Sequence, residues 1–254
     1  MGAAHAHRLY VGGGSIVHRL APEAKLAATV LFVFAVVSTP REVFWAFGLD
    51  AILVAVVASV AGLRLTDVLK RLVIELPFLA FALFLPIVGR GEQVEVLGLS
   101  LSVSGLWAAW NIVVKGTLGV AASIVLASTT TVSELLRGLD RLRLPRVLTG
   151  IMSFMIRYGD VIADEMHRMR VARIARGHDP RWIWQVKAVA SSAGALFIRS
   201  FERGERVHVA MLARGYDGVL PVVDDETGEP RSWLIALALP AAAIVVAAVA
   251  WAVR

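Results

Sequence analysis

Two stretches of the chain end in the same three residues, Ala175-Arg176-Gly177 and Ala213-Arg214-Gly215. Aligned on those triplets, Asp164 falls over Glu202, Arg168 over Arg206, Val171-Ala172 over Val209-Ala210, and Asp179 over Asp217. The shared pattern, acid-x3-Arg-x2-Val-Ala-x2-Ala-Arg-Gly-x-Asp, reads as a helix that finishes by presenting one arginine. Asp164 to Arg168 and Glu202 to Arg206 are i,i+4 pairs in the favourable order, each worth about 0.2–0.5 kcal/mol. Arg176 and Arg214 fall in the last turn, where a cation suits the helix dipole, and Gly177 and Gly215 suit the left-handed residue that closes a helix. Ala172 and Ala210, one turn earlier on the same stripe, leave a partner room to approach. Ordinary capping accounts for a glycine and a nearby cation in either copy alone. It does not account for the same Ala, Val, Arg and acid positions upstream in both. The duplication points to docking, since a guanidinium fork suits bidentate capture of a carboxylate or of backbone carbonyls, and two similar plugs imply two similar sockets.

The rest of the chain must hold those plugs in place. Of its 254 residues 57% are hydrophobic, with a mean hydropathy of +0.70, well above the ~45–50% apolar usage of soluble domains. The apolar residues gather in blocks long enough to cross a bilayer, which takes ~20 residues each. Spans are expected at about Leu26–Ser38, Val43–Leu63, Leu72–Gly89, Val103–Ser128 and Trp233–Val253, making an all-α polytopic membrane protein of about five crossings. Arg64, Lys70 and Arg71 crowd one short connection, whereas Arg90 is offset by Glu92 and Glu95 in the next. The positive-inside tendency therefore puts the Arg64–Arg71 connection in the cytoplasm. With an odd span count the expected order is a cytoplasmic segment over 1–25, four spans over 26–128, a cytoplasmic coupling domain over 129–231 and a last span over 232–254, with Arg254 outside. The coupling domain carries most of the arginines, interleaved with Ala, Met, Leu and Val at helical spacing. Asp179-Pro180 and Gly215–Pro221 break that pattern, and the acidic run from Asp224 to Pro230 leads into the last span. The net charge of +6 is accounted for by topology and needs no nucleic-acid partner.

Other chemistry is sparse. There is no Cys, hence no disulfide, thiolate zinc site or cysteine nucleophile. His5-x-His7 supplies two imidazoles where a closed metal site wants about four ligands. His167, His178 and His208 show no recurrent ligand spacing, so no metal site is assigned. Gly12-Gly13-Gly14 lacks the lysine and the strand–helix setting of a phosphate loop, and no ATP hydrolysis by this chain is expected. Asp50, Glu75 and Lys115 lie in or near spans, with Asn111 one turn before Lys115. Lys115 is expected either to pair with Asp50 inside the bundle or to snorkel, in preference to lining an ion path. Pro77 and Pro86 predict kinks in the third span.

Taken together, these features resemble a known family. Two Ala-Arg-Gly helices in a basic domain between the fourth and last spans look like the transmembrane T component of energy-coupling factor (ECF) transporters, the CbiQ/EcfT family. The opening Ser15-x-x-His18-x-Leu20-x-Pro22-x-x-Lys25-Leu26 is similar to the family's start. The run Arg157-Tyr158, Asp164-Glu165, Arg168-Met169-Arg170, then Arg199-Ser200, Glu202-Arg203, Glu205-Arg206-Val207, Ala210-Met211 and Tyr216-Asp217-Gly218, looks most like the cobalt branch. The resemblance implies a non-enzymatic plasma-membrane subunit of an importer. Its Ala175, Arg176, Gly177 and Ala213, Arg214, Gly215 would dock on two ABC ATPase subunits, and it would join them to a membrane S component that captures the substrate. ATP would be bound by those partners, and this chain would hold no cofactor. Another micronutrient, nickel or a vitamin, is the alternative cargo. A conventional ABC permease would couple through one cytoplasmic loop per subunit, which the tandem repeat argues against. A membrane enzyme using its arginine helices on anionic lipid headgroups would need a catalytic constellation that the sequence does not contain.

Overall fold

The computed structural model describes residues 10–89, 93–96, 99–177, 186–218 and 230–253. His5 and His7, Arg90 and Glu92, His178, Asp179-Pro180, the acidic run from Asp224 to Glu229, and Arg254 lie outside them. The chain divides into two compact units, one of membrane helices and one holding the two long arginine-rich helices.

In the first unit a short helix α1 (Ile16–Arg19) leads into α2 (Pro22–Ser38), which opens on Pro22, a residue with no N–H to leave unpaired at a helix start. α3 (Phe44–Val60) comes next and closes on Gly62 at φ +72°. The third crossing runs from Leu65 to Val88, beginning earlier than its hydropathy suggests. Its charged start, α4 (Leu65–Arg71), is helical, so the expected Arg64–Arg71 loop is instead the first two turns of a span. A 3₁₀ turn (Leu72–Glu75) then precedes α5 (Leu76–Val88). Pro77 cannot donate to the Val73 carbonyl and crowds it, so the helix tightens there, and Leu76 N–H takes that carbonyl instead.

A hairpin of β1 (Gln93–Val96) and β2 (Leu99–Ser102), antiparallel with Gln93 opposite Ser102, turns the chain into α6 (Val103–Thr129). Gly105 lets α6 meet α5, since a Cβ there would overlap the Leu85 carbonyl and Pro86. α7 (Val132–Arg141) folds back on the start of α2, and α10 (Pro230–Ala252) completes the bundle once α8 and α9, described below, have intervened in the chain. α10 buries Ala236, Pro240, Ala243, Ala247 and Ala250, alternately four and three residues apart, on α2, which answers with Ala24, Ala28 and Ala35. Small residues at such a seam let two backbones approach closely where no water drives association. Phe32, Val36, Phe47, Val54, Leu118 and Val125 form the wider core.

The two ends of the bundle differ in chemistry. Where α2 stops and α3 starts, Phe44 stacks on Trp107 at 5.9 Å, Arg41 lies 5.8 Å from the Trp107 ring, and Trp251 Nε1 donates to the Ser38 carbonyl at 2.9 Å. Amphipathic rings of this kind mark a membrane–water boundary. At the other end, Lys25 Nζ donates to the Thr129 carbonyl at 3.0 Å and Arg71 donates to Ser128 Oγ at 2.5 Å. Within the bundle the expected Lys115–Asp50 pair is not formed. Lys115 Nζ instead donates to the Val37 carbonyl at 2.7 Å, reaching along α6 to one of the last, unsatisfied carbonyls of α2, where a helix end is negative. Asp50 is fully buried and neither of its oxygens has a hydrogen-bond partner among the described residues.

The second unit contains α8 (Arg146–Ala175) and α9 (Val186–Leu212). α8 runs unbroken through Gly159, whose α-carbon faces open space.

Candidate functional site

Both arginine triplets lie where the repeat predicts, at the C-terminal ends of α8 and α9. Gly177 has φ +77° and Gly215 φ +83°, the left-handed conformation an L side chain resists, and nothing stands within 4 Å of a Cβ built on either. Glycine is thus required by the backbone and not by crowding. At the second copy Gly215 N–H donates to the Leu212 carbonyl and Tyr216 N–H to the Met211 carbonyl, both at 3.0 Å, a full Schellman closure. At the first, Gly177 N–H donates to the Ile174 carbonyl at 2.9 Å. Each arginine stands immediately before its left-handed glycine, beyond the last full turn. Ala172, Ala175, Arg176, Ala210, Ala213 and Arg214 are all exposed, and neither guanidinium has a hydrogen bond or ion pair among the described residues.

The two helices are clamped side by side. Glu165 accepts from Arg168 at 2.6 Å and from Arg199 at 2.5 Å, and Arg173 Nη1 donates to Ser192 Oγ at 3.2 Å. Partners rise in number along α8 as they fall along α9, so the pair is antiparallel. The two triplets therefore point away from opposite ends, separated by roughly 40 Å at 1.5 Å per residue. Hydrogen bonds from Arg168 and then Arg199 hold the Glu165 carboxyl below the usual carboxylate range, and Glu165 in turn raises Arg168.

The repeat is imperfect in its supporting pairs. Glu202 and Arg206 come within 4.0 Å as expected for i,i+4, but Arg168 turns to Glu165 at i,i+3 instead of to Asp164. The reason is tertiary: Glu165 is already held by Arg199 across the helix pair, and Arg168 completes that cluster. Arg173, which has no arginine counterpart in the repeat, ties α8 to α9 through Ser192. Its Nε is buried without a hydrogen-bond partner among the described residues. Between the helices runs a groove of ≈ 350 Å³ lined by Phe154, Met155, Tyr158, Val207 and Met211, among others. The sequence signals for it are aromatic and methionine residues at helical spacing, which composition alone does not separate from core. Among the described residues no group of three His, Asp or Glu side chains could hold a metal ion.

Fold and site define a polytopic α-helical membrane protein that also carries a pair of motif-ended helices. A family model described as CbiQ, cobalt transport protein, matches residues 13–223. The energy-coupling factor transporter transmembrane protein EcfT of Bacillus selenitireducens is 31% identical over 230 residues, covering 82% of each chain. The protein of the same name in Bacillus subtilis is 30% identical over 222 residues, covering 82% of this chain and 83% of its own. A putative fused cobalt transport protein CbiMQ of Methanocorpusculum labreanum is 26% identical over 151 residues, 57% of this chain and 25% of that one. The chain belongs to the CbiQ/EcfT family of transporter transmembrane components.

Proposed function

We propose that this chain couples two ABC ATPase subunits to a substrate-binding membrane S component in an ECF-type importer, with Arg176 and Arg214 each seated in one ATPase. The observation that carries the reading is the pair of exposed arginines, without a partner among the described residues, on left-handed caps at opposite ends of one antiparallel helix pair. A guanidinium so presented offers a planar fork to a carboxylate or a set of carbonyls, and a separation of roughly 40 Å suits two sockets on two subunits better than two contacts on one. ATP is bound and hydrolysed by those partners. The basic end of the bundle, with Lys25 and Arg71, supports a cytoplasmic site for both arginine-ended helices, and the aromatic end supports the outer boundary.

Cobalt is the proposed cargo. It is supported by the description of the matching family and by the cobalt transport relative of Methanocorpusculum labreanum. The S component selects the solute, so nickel or a vitamin would use the same coupling surface.

The test is copurification and cobalt uptake with Arg176→Ala, Arg214→Ala and both together. Truncating one side of a buried charged contact costs about 2–5 kcal/mol. Each single variant is expected to cut uptake, and the double variant to release both ATPases. Lysine at either position should rescue poorly, because it keeps the charge without the fork. A double Ala variant that retains both ATPases and transports normally would reduce the motifs to helix caps.

A further inference from the structure

The membrane unit contains a cavity that the coupling role does not use. We propose that it holds one acyl chain of an anionic phospholipid, whose headgroup sits at the basic end of the bundle. The cavity has a volume of ≈ 260 Å³. On α6 its lining runs from Thr129 to Ala122, on α3 from Val60 to Val54 and on α10 from Ile235 to Leu239, so all three helices wall it from the same end of the bundle. Seven residues of α6 at 1.5 Å each make it roughly 10 Å deep, about a third of a hydrocarbon core of ~30 Å. The turn of α1 closes one side through Val17 and Leu20. Ile16, Val60 and Ile235 belong to the lining and are also exposed, so the cavity opens at the surface of the bundle.

The lining selects hydrocarbon over water. Apart from Lys25, its polar side chains are Thr29 and Thr129, and each hydroxyl donates to a carbonyl of its own helix at 2.9 Å. A resident water needs about two to four polar partners, which these satisfied groups do not offer. An acyl chain needs none, and it restores the dispersion contacts that an empty apolar wall forfeits.

The single charge in the lining selects the headgroup. Lys25 is buried, and an ammonium has three N–H donors. Two go to the Thr129 carbonyl at 3.0 Å and the His18 carbonyl at 3.3 Å, leaving the third without a partner among the described residues. Glu134 acts on Lys25 through space without an ion pair, its carboxylate being engaged by Thr131 N–H at the start of α7. Two more cations stand at the same end. Arg19 directly precedes Leu20, and Arg231 lies one turn before Ile235 on the same stripe of α10. Both are exposed and neither has a hydrogen bond or ion pair among the described residues. Trp233, packed with Leu20 on a cluster of buried alanines, marks this end as the headgroup level. A phosphodiester placed there meets cations alone, whereas a zwitterionic lipid brings its own ammonium among them.

The experiment uses the full chain, purified and delipidated in detergent. Native mass spectrometry and thermal shift are measured against dioleoylphosphatidylglycerol, dioleoylphosphatidylcholine and inorganic phosphate. Phosphatidylglycerol should bind singly, raise the melting temperature, and bind about tenfold or more tighter than phosphatidylcholine, as two basic groups beside a headgroup supply. Arg19→Gln with Arg231→Gln should bring the two lipids to equal affinity. Val57→Phe and Leu239→Phe, which fill the cavity, should lose the bound lipid while melting like the parent when lipid-free. Equal affinity of the parent for the two lipids overturns the proposal. So does inorganic phosphate binding as tightly as phosphatidylglycerol, since that marks an anion site without a chain. Undiminished phosphatidylglycerol binding in a folded phenylalanine variant overturns the cavity as its seat. If neither phenylalanine variant folds, the arginine pair decides, and an unchanged lipid preference there refutes the proposal.

Discussion

Gly215→Ala isolates the geometry of one cap from its chemistry. The new methyl group meets nothing within 4 Å, so no packing term enters, and the arginine before it keeps its charge. What changes is the backbone: at φ +83° an L side chain costs about 1–2 kcal/mol. At 1.4 kcal/mol per tenfold, the closed cap should lose population about 5- to 30-fold relative to opened forms. Hydrogen exchange of the Gly215 and Tyr216 amides, which donate to Leu212 and Met211, should speed up by that factor while the amides of mid-α9 stay protected. Affinity for the ATPase should fall by a similar factor, because the arginine must be returned to its cap on binding. Gly215→Asn should lose less than Gly215→Ala, since Asn enters the left-handed region more readily. Equal exchange rates in parent and Ala variant would refute the claim that the cap needs glycine. Faster exchange with unchanged ATPase affinity would leave the cap real but unused in docking.

Three further outcomes are expected. Lys115→Met should preserve uptake and cost about 0.6–1.7 kcal/mol of bundle stability, as for other intramembrane hydrogen bonds; loss of uptake with normal assembly would point to an ion path. The Glu165 carboxyl is lower in the folded protein than its ordinary value of 4.5. Its contribution to the α8–α9 pairing is therefore complete above that value and is lost as pH falls through the depressed range. A thermal-shift titration should show this acid-side loss and Glu165→Gln should abolish it; an identical acid limb in the variant would rule the contribution out. Because the chain has no Cys, Gly228→Cys gives a single label site, which should react from the cytoplasmic side alone, and labelling from outside would reverse the proposed topology.

The parts of the molecule that are legible in the amino-acid sequence are those set by local geometry. Gly177 and Gly215 need only the pattern of one helix end, and the apolar blocks need only their length. The start of the third crossing is hidden because Asp67, Lys70 and Arg71 lower its hydropathy while leaving seven residues free to be helical. Arg168 chooses Glu165 over Asp164 because of Arg199, a residue on another helix that no i,i+4 rule contains. Lys115 passes over a carboxylate in the same bundle for a backbone carbonyl, a preference that depends on where α2 ends. The ion pair of Glu23 with Arg141 joins residues 118 positions apart, and neither residue carries a local sign of it.

The antiparallel clamp between α8 and α9 has a consequence for symmetry. Running the same motif in opposite directions gives one chain two like ends related by an approximate half-turn. In the coupling role proposed above, a pair of ATPases related by a true two-fold axis could then be met by a single polypeptide, without a second copy of it. Closed two-fold assemblies ordinarily demand that both halves of an interface be the same surface. Here the halves are separate stretches of one sequence, each free to change without the other. If the two ends dock as proposed, substitutions near Arg176 or near Arg214 can track two partners that have diverged from each other, and a defect in one end need not be a defect in both.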